Sequence, residues 1–343
     1  MEKGSRFVGL DVHKASIAVA VAEAYGDPEN HGQIANDPGA VRKLMARLGD
    51  AGERLVVASL IPVRPGDRIK TDRRDAAKLV RLLRSGDLTR VWVPDEASEA
   101  LRDLVRARDD AKEDLLRAKH RLSKLLLRRA IQPPVGVRAW SRAHAAWLGR
   151  LTFAHAADQV VFEDYRSVVG AASERVRRLE GALMRSAGDG PGAELVSALQ
   201  AMRGIGFLTA VTIVAEAGDL RRFPTARQFM AYVGLVPSEH SSGDSQHRGH
   251  ITKTGNRLIR HVLGQAAHNA RYRPAVSSSL RARQRLVSPA VVELDRRAQA
   301  RLHGRYRHLA GRIGTNKAVT AVARELAGFV WAVGQLVPLT AAA

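Results

Sequence analysis

Two stretches of regularly spaced apolar residues constrain this chain more than any other feature. From Ser98 to about Arg129, the positions Leu101, Arg108, Leu115 and Leu122 recur every seven residues, as do Leu104, Ala111, Ala118 and Leu125. Beyond Pro133-Pro134, Trp140 and Trp147, a second run of Phe162, Tyr165, Val169, Ala172, Val176, Leu179 and Leu183 alternates steps of three and four. That spacing keeps one seam of each helix turned toward a partner. Two long amphipathic helices with a Pro-containing connection predict an antiparallel hairpin, or an exchange of helices between protomers, and heptads this regular favour a dimer. A coiled-coil-like helical region is therefore expected over residues 91–190.

The segments on either side differ in kind. Before it, Arg6 to Val21 reads as two strands broken at His13-Lys14, with Ile17, Val19 and Val21 alternating. A third short strand is expected at His31 to Ala35, a helix of about ten residues after Asp37-Pro38-Gly39, and a buried strand at Leu55 to Ile61. Residues 1–90 thus read as a small mixed α/β layer, short of strands. After Gly188-Asp189-Gly190-Pro191-Gly192, the clearest linker, residues 191–343 read as helical. There Leu195–Met202 and Phe207–Ala217 are helices joined through Arg203-Gly204-Ile205-Gly206. Bare backbone N–H groups at such a step, with Gly204 and Gly206 exposing them, suit a helix-hairpin-helix contact to a phosphate; a plain turn between helices explains the pattern nearly as well. A basic tail, Arg271 to Lys317, precedes a last apolar helix.

Charge narrows the partner. Against 34 Asp and Glu stand 55 Lys and Arg, a net charge of +21, which attracts polyanions, nucleic acid first among them. No apolar run reaches 18 residues and no signal peptide opens the chain, so a membrane role is disfavoured. With no cysteine there are no disulfides or thiolate metal sites, and the expected compartment is the cytoplasm. Any metal needs oxygen or imidazole ligands. The 12 histidines show no ligand spacing, and His247 and His250 lack a third partner.

The chemistry concentrates in three places. Asp11 ends an apolar strand, where a carboxylate is expensive unless paired, hydrogen-bonded or bound to metal. In Lys70-Thr71-Asp72-Arg73-Arg74-Asp75-Ala76, Asp72 and Asp75 share a face of a starting helix, about 5–6 Å apart at Cβ, with Arg73 and Arg74 placed to hold a phosphate backbone. On spacing alone, an acidic helix N-terminus capped by Thr71 is the better explanation of this stretch. Finally, Ser241-Ser242-Gly243 is flanked by His240, Arg248, Lys253 and Arg257, a hydroxyl beside cations that can hold a phosphate, or an ordinary polar loop.

Taken together, Gly9-Leu10-Asp11-Val12-His13-Lys14, the segment Ser59-Leu60-Ile61-Pro62 to Ala76, and Ser241-Ser242-Gly243 to Asn256 closely resemble the IS110/IS1111 family of insertion-sequence transposases, which includes the Piv-type DNA invertases. The resemblance runs over essentially the whole chain. It implies a RuvC-like, RNase H-like N-terminal domain with an Asp-Glu-Asp-Asp metal site binding Mg²⁺, a coiled-coil middle, and a C-terminal transposase domain with a serine nucleophile. It further implies a recombinase working on DNA with a structured guide RNA, its acids and serine contributed by different protomers. Carried over, Asp11 is the first acid, Asp72 and Asp75 are the third and fourth, and Ser242 is the nucleophile, with Ser241 the less favoured neighbour.

The second acid of that set is missing. Gly52-Glu53-Arg54-Leu55 runs straight into Val56-Val57-Ala58-Ser59, as if one strand and one helix had been deleted. Glu53 precedes the strand and is a poor substitute. Three readings stay open: a decayed copy, a natural variant with a rebuilt site, or a shortened form. Besides an active or impaired transposase, the sequence admits a non-catalytic DNA- or RNA-binding relic and a metal-dependent junction resolvase that uses the acids alone.

Overall fold

Ile17 to Ala22 are all buried, a pattern that places their strand inside a layer covered on both faces. In the computed structural model, which describes residues 6–48, 58–59, 61, 70–90, 92–188, 190, 192–239, 248–337 and 339, this strand is the middle one of three. Strands β1 (Arg6–Val12), β2 (Ser16–Glu23) and β3 (Glu29–Ala35) form an antiparallel sheet in that order. The alternation along β2 then has a plain meaning. Ile17, Val19 and Val21 pack with Leu44 of helix α1 (Pro38–Leu48), while Ala18, Ala20 and Ala22 meet Ala76 and Val80 from the opposite side.

After β4 (Ala58–Ser59), those last two residues belong to α2 (Asp72–Ser85), which is followed by β5 (Thr89–Arg90). Thr71 caps α2 by accepting from the Arg74 backbone N–H, and Gly86 ends it in the left-handed conformation. Among the described residues β4 pairs with β5 and not with the three-stranded sheet. Of the strand expected at Leu55–Ile61, only Ala58 and Ser59 are described as strand. Glu53 lies outside the described residues.

The chain divides into two compact units, Met1–Val93 and Pro94–Ala343. In the second, α3 (Glu96–Arg128) and α5 (Ala156–Gly188) carry the two heptad runs, with α4 (Arg142–Leu148) between them. Asp95 caps α3, accepting from the Ser98 N–H at 2.7 Å. Ser98, from which the sequence pattern starts the helix, is therefore inside the first turn, where Glu96 and Glu99 also suit the helix dipole. Pairs Arg108–Glu180, Asp114–Arg175 and Arg129–Asp158 run in opposite senses along α3 and α5. The seams thus close on each other within one chain as an antiparallel hairpin.

The remaining helices surround one core. They are α6 (Ala193–Gln200), α7 (Phe207–Ala217), α8 (Ala226–Tyr232), α9 (Arg257–Ala267), α10 (Ser278–Gln284), α11 (Pro289–Ile313) and α12 (Thr315–Leu336), with a short ladder of β6 (Pro237–Glu239) and β7 (Arg248–Ile251). Leu101 and Val105 of α3 and Leu183 of α5 are buried in this same core beside Leu199, Ile213, Leu263 and Val330. The core therefore crosses residue 190, where composition places a linker. No helix among the described residues is long and apolar enough to cross a membrane.

Candidate functional site

The close fit of α2 on the sheet decides where its first turn lies. A Cβ on Gly9 would come 2.3 Å from the Ala76 carbonyl oxygen and 2.8 Å from Val80 Cγ2, so only glycine admits the helix there. Gly9 stands opposite Ala20, another small residue. With the helix seated, Asp72 at its N-terminus reaches the end of β1, two residues beyond Gly9, where Asp11 stands. The turn between β1 and β2 brings in a third side chain. His13 is held by its backbone N–H donating to the Ser16 carbonyl at 2.9 Å and by Asn36 Nδ2 donating to the His13 carbonyl at 2.8 Å.

His13 Nε2 lies 3.2 Å from Asp11 Oδ2 and 3.3 Å from Asp72 Oδ1, and one donor atom from each residue falls within 4.8 Å of the others. Asp11 is the most enclosed, with 24% of its side chain exposed, against 46% for His13 and 44% for Asp72. Cation ligands at about 2.0–2.1 Å from a metal stand about 3.0–3.4 Å apart in octahedral or tetrahedral geometry. The two distances from His13 Nε2 fit ligands of one divalent ion as well as they fit a His–Asp ion pair.

This differs from the expected set. Asp75 falls outside the cluster: it stands three residues along α2, about 4.5 Å of helical rise away from Asp72. Since α2 runs back along β1, that rise carries it away from the strand end. His13 is the group the sequence reading missed. Its signal was there, an Asp-x-His at the mouth of a tight strand turn, but spacing between histidines alone does not reveal it.

The basic residues separate into two classes. Arg73 and Arg74 are exposed on the first turn of α2. Arg203 is spent internally: its backbone N–H donates to Asp295 at 2.8 Å and its Nη1 to the Arg273 carbonyl at 2.6 Å. Gly204, with φ +87°, abuts the end of α9, where a Cβ would meet the Ala266 carbonyl oxygen at 2.8 Å. Gly206 begins α7 and is exposed. Arg257 binds Glu113 of α3 at 2.9 Å, which raises its pKa. Lys253 is exposed on the turn between β7 and α9. That turn is fixed by Lys253 N–H to the Gly234 carbonyl and Asn256 N–H to the Tyr232 carbonyl. Arg248 opens β7, while Ser241 and Ser242, in the connection before it, lie outside the described residues.

A buried carboxylate supports this turn. Glu216, 2% exposed on α7, accepts two hydrogen bonds from Arg106 at 2.8 and 3.1 Å and one from Asn256 Nδ2 at 2.6 Å. Asn256 also caps α9 through the Ile259 N–H. An acid inside the apolar run Ala210–Ala217 was its only mark in the sequence.

Comparison with known proteins assigns the chain. The family described as "Transposase IS116/IS110/IS902 family" matches residues 196–285, and the transposase domain of the DEDD type from IS110 elements matches residues 61–130. The Sinorhizobium fredii protein named "Putative transposase y4qE" is 40% identical over 358 aligned positions, covering 96% of this chain and 88% of that one. The "Transposase for insertion sequence element IS1533" of Leptospira borgpetersenii is 30% identical over 338 positions, covering 88% of this chain and 96% of its own. The "Transposase for insertion sequence element IS1111A" of Coxiella burnetii is 31% identical over 134 residues, 39% of this chain and 31% of its own. On this evidence the chain belongs to the IS110 family of insertion-sequence transposases.

Proposed function

We propose that this transposase cuts and rejoins DNA at a divalent-metal centre built from Asp11, Asp72 and His13, with Ser242 as nucleophile. The convergence of those three donor atoms at the end of β1, in a member of this family, carries the reading. Two carboxylates and an imidazole fit Mg²⁺ or Mn²⁺, the imidazole favouring Mn²⁺. A bound ion there would neutralise charge building on the scissile phosphate. Arg73 and Arg74, on the same helical turn, hold the phosphate backbone beside it. Asp75 serves as the neighbouring acid of that turn.

Ser242 Oγ attacks phosphorus as it loses its proton. An Oγ–P bond replaces a P–O bond to the deoxyribose, whose oxygen leaves with a proton. Attack by a strand hydroxyl on the phosphoserine reverses the exchange and rejoins DNA with no ATP. Within this reading the first unit is a shortened RNase H-like layer; its antiparallel meander, with an acid closing the first strand, supports that. A guide RNA and a homodimer uniting acids and serine follow from the family resemblance.

The test is strand cleavage on the element's own ends with Mg²⁺ or Mn²⁺, with trapping of the protein–DNA adduct. Asp11→Asn and Asp72→Asn are expected to lower cleavage by at least two orders of magnitude, as loss of a metal ligand does, and Ser242→Ala to abolish the adduct. Cleavage surviving in Ser242→Ala marks a junction resolvase. Binding with no strand chemistry in the unaltered chain marks a relic.

A further inference from the structure

We infer that the far end of the α3–α5 hairpin, away from the C-terminal core, is a binding surface for the phosphate backbone of a nucleic acid. Acids are spread over most of the chain, 34 in 343 residues, yet none occurs between Leu115 and Ala157. That stretch holds nine Lys or Arg. The near part of the hairpin is charge-balanced across the seam, through Arg108–Glu180 and Arg175–Asp114. At the far end Arg117 and Arg129 find carboxylates only by reaching outside the acid-free stretch, to Asp114 and Asp158. Arg121, Lys124, Arg128, Arg138, Arg142 and Arg150 are exposed, and among the described residues none of the six meets a carboxylate.

The end also has a core of its own, where a simple helix–helix turn would need none. Leu122, Leu125, Leu126, Leu148 and Phe162 are buried together there, with Trp140 and Trp147 packed against them. His144 is enclosed between the two tryptophan rings at 5.3 and 5.2 Å, and Lys119 sits 5.1 Å over Trp140. Burial lowers the His144 pKa, as it does for any cation deprived of water. The indoles are thus packed against the core of this end. What remains outside is predominantly cationic, the nine Lys or Arg of this stretch outnumbering Asp158, Glu163 and Asp164 where α5 begins at the same end, an arrangement that binds phosphates without reading bases. It also supplies what the internally bonded Arg203 and Arg257 do not.

The experiment measures fluorescence anisotropy of the full chain with a duplex DNA and an RNA hairpin of matched length, over a salt series. Arg138→Gln/Arg142→Gln is compared with Arg178→Gln/Arg185→Gln, two exposed arginines removed from the core-proximal part of α5. Each phosphate contact contributes about 0.9 to the slope of log affinity against log salt on duplex DNA, so the first pair is expected to reduce it by about 1.8. The second pair is expected to leave it near the unaltered value. Melting curves verify that both variants fold. Loss on DNA alone or RNA alone identifies the polymer. Equal slopes for the two variants on both polymers overturn the inference. Because this readout needs no metal and no serine, it fails separately from the cleavage test.

Discussion

Asp295, 1% exposed on α11, accepts hydrogen bonds at 2.8 Å from the Arg203 backbone N–H, Gln284 Nε2 and Gln299 Nε2. Burial nevertheless outweighs these donors and raises its pKa above the ordinary 3.8. A folded state that holds a proton the unfolded chain has released loses stability as pH rises. Stability should therefore fall as pH climbs from about 3.8 to the raised value, and Asp295→Asn should flatten that part of the profile in urea titrations. Asp295→Ala instead strands the backbone N–H of Arg203 and two amides, and is expected to cost about 3 kcal/mol. In the sequence, Arg203 stands beside a Gly-x-Gly step and looks available to a phosphate. Its engagement with Asp295, 92 residues away, is a tertiary fact that local spacing cannot carry.

At the scale of elements, the seating of α2 on β1 and β2 sets the candidate metal centre. Gly9→Ala forces its new methyl against the Ala76 carbonyl, backbone that cannot swing aside. The expected loss is about 1–3 kcal/mol in the first unit, as for overpacking elsewhere. It should come with weaker Mn²⁺ binding in calorimetry, since α2 carries Asp72; Mn²⁺ affinity unchanged in a destabilised variant would sever the link between seating and site. Much of this was legible in advance. Period-two alternation gave β1 and β2, Asp37-Pro38-Gly39 gave the start of α1, and Thr71 gave the cap of α2, because each depends on a few adjacent residues. Likewise the heptads gave α3 and α5. The gathering of Asp11, His13 and Asp72 was legible only in part. Two of the three stood out as acids in unusual places, but His13 acquires its partners only when the strand turn and α2 meet. Nor does a heptad run reveal that its first turns, at Leu101 and Val105, belong to another core.

For the whole molecule, the question is how a strand and helix missing near residue 55, as the family resemblance implies, would bear on activity. The alignment with the Sinorhizobium fredii relative spans 358 positions, more than the 343 residues present, and the one with the Leptospira borgpetersenii relative spans 338 while covering 88% of this chain. Both relatives therefore carry residues where this chain has none. The three-stranded sheet, and the separate β4–β5 ladder among the described residues, fit a layer that has lost a strand. A missing ligand weakens metal affinity or activity by about 10–100-fold even when it lies only in the outer shell, and a direct ligand matters more. On the proposed mechanism, inserting between Glu53 and Val56 the acid-bearing segment that the family resemblance implies should therefore raise the yield of protein–DNA adduct by at least that factor, with Mn²⁺ affinity rising in parallel. Adduct yields that are equal before and after restoration would mean that Asp11, Asp72 and His13 suffice. A rise in adduct without a rise in metal affinity would place the defect in the lost strand's packing and not in the lost carboxylate.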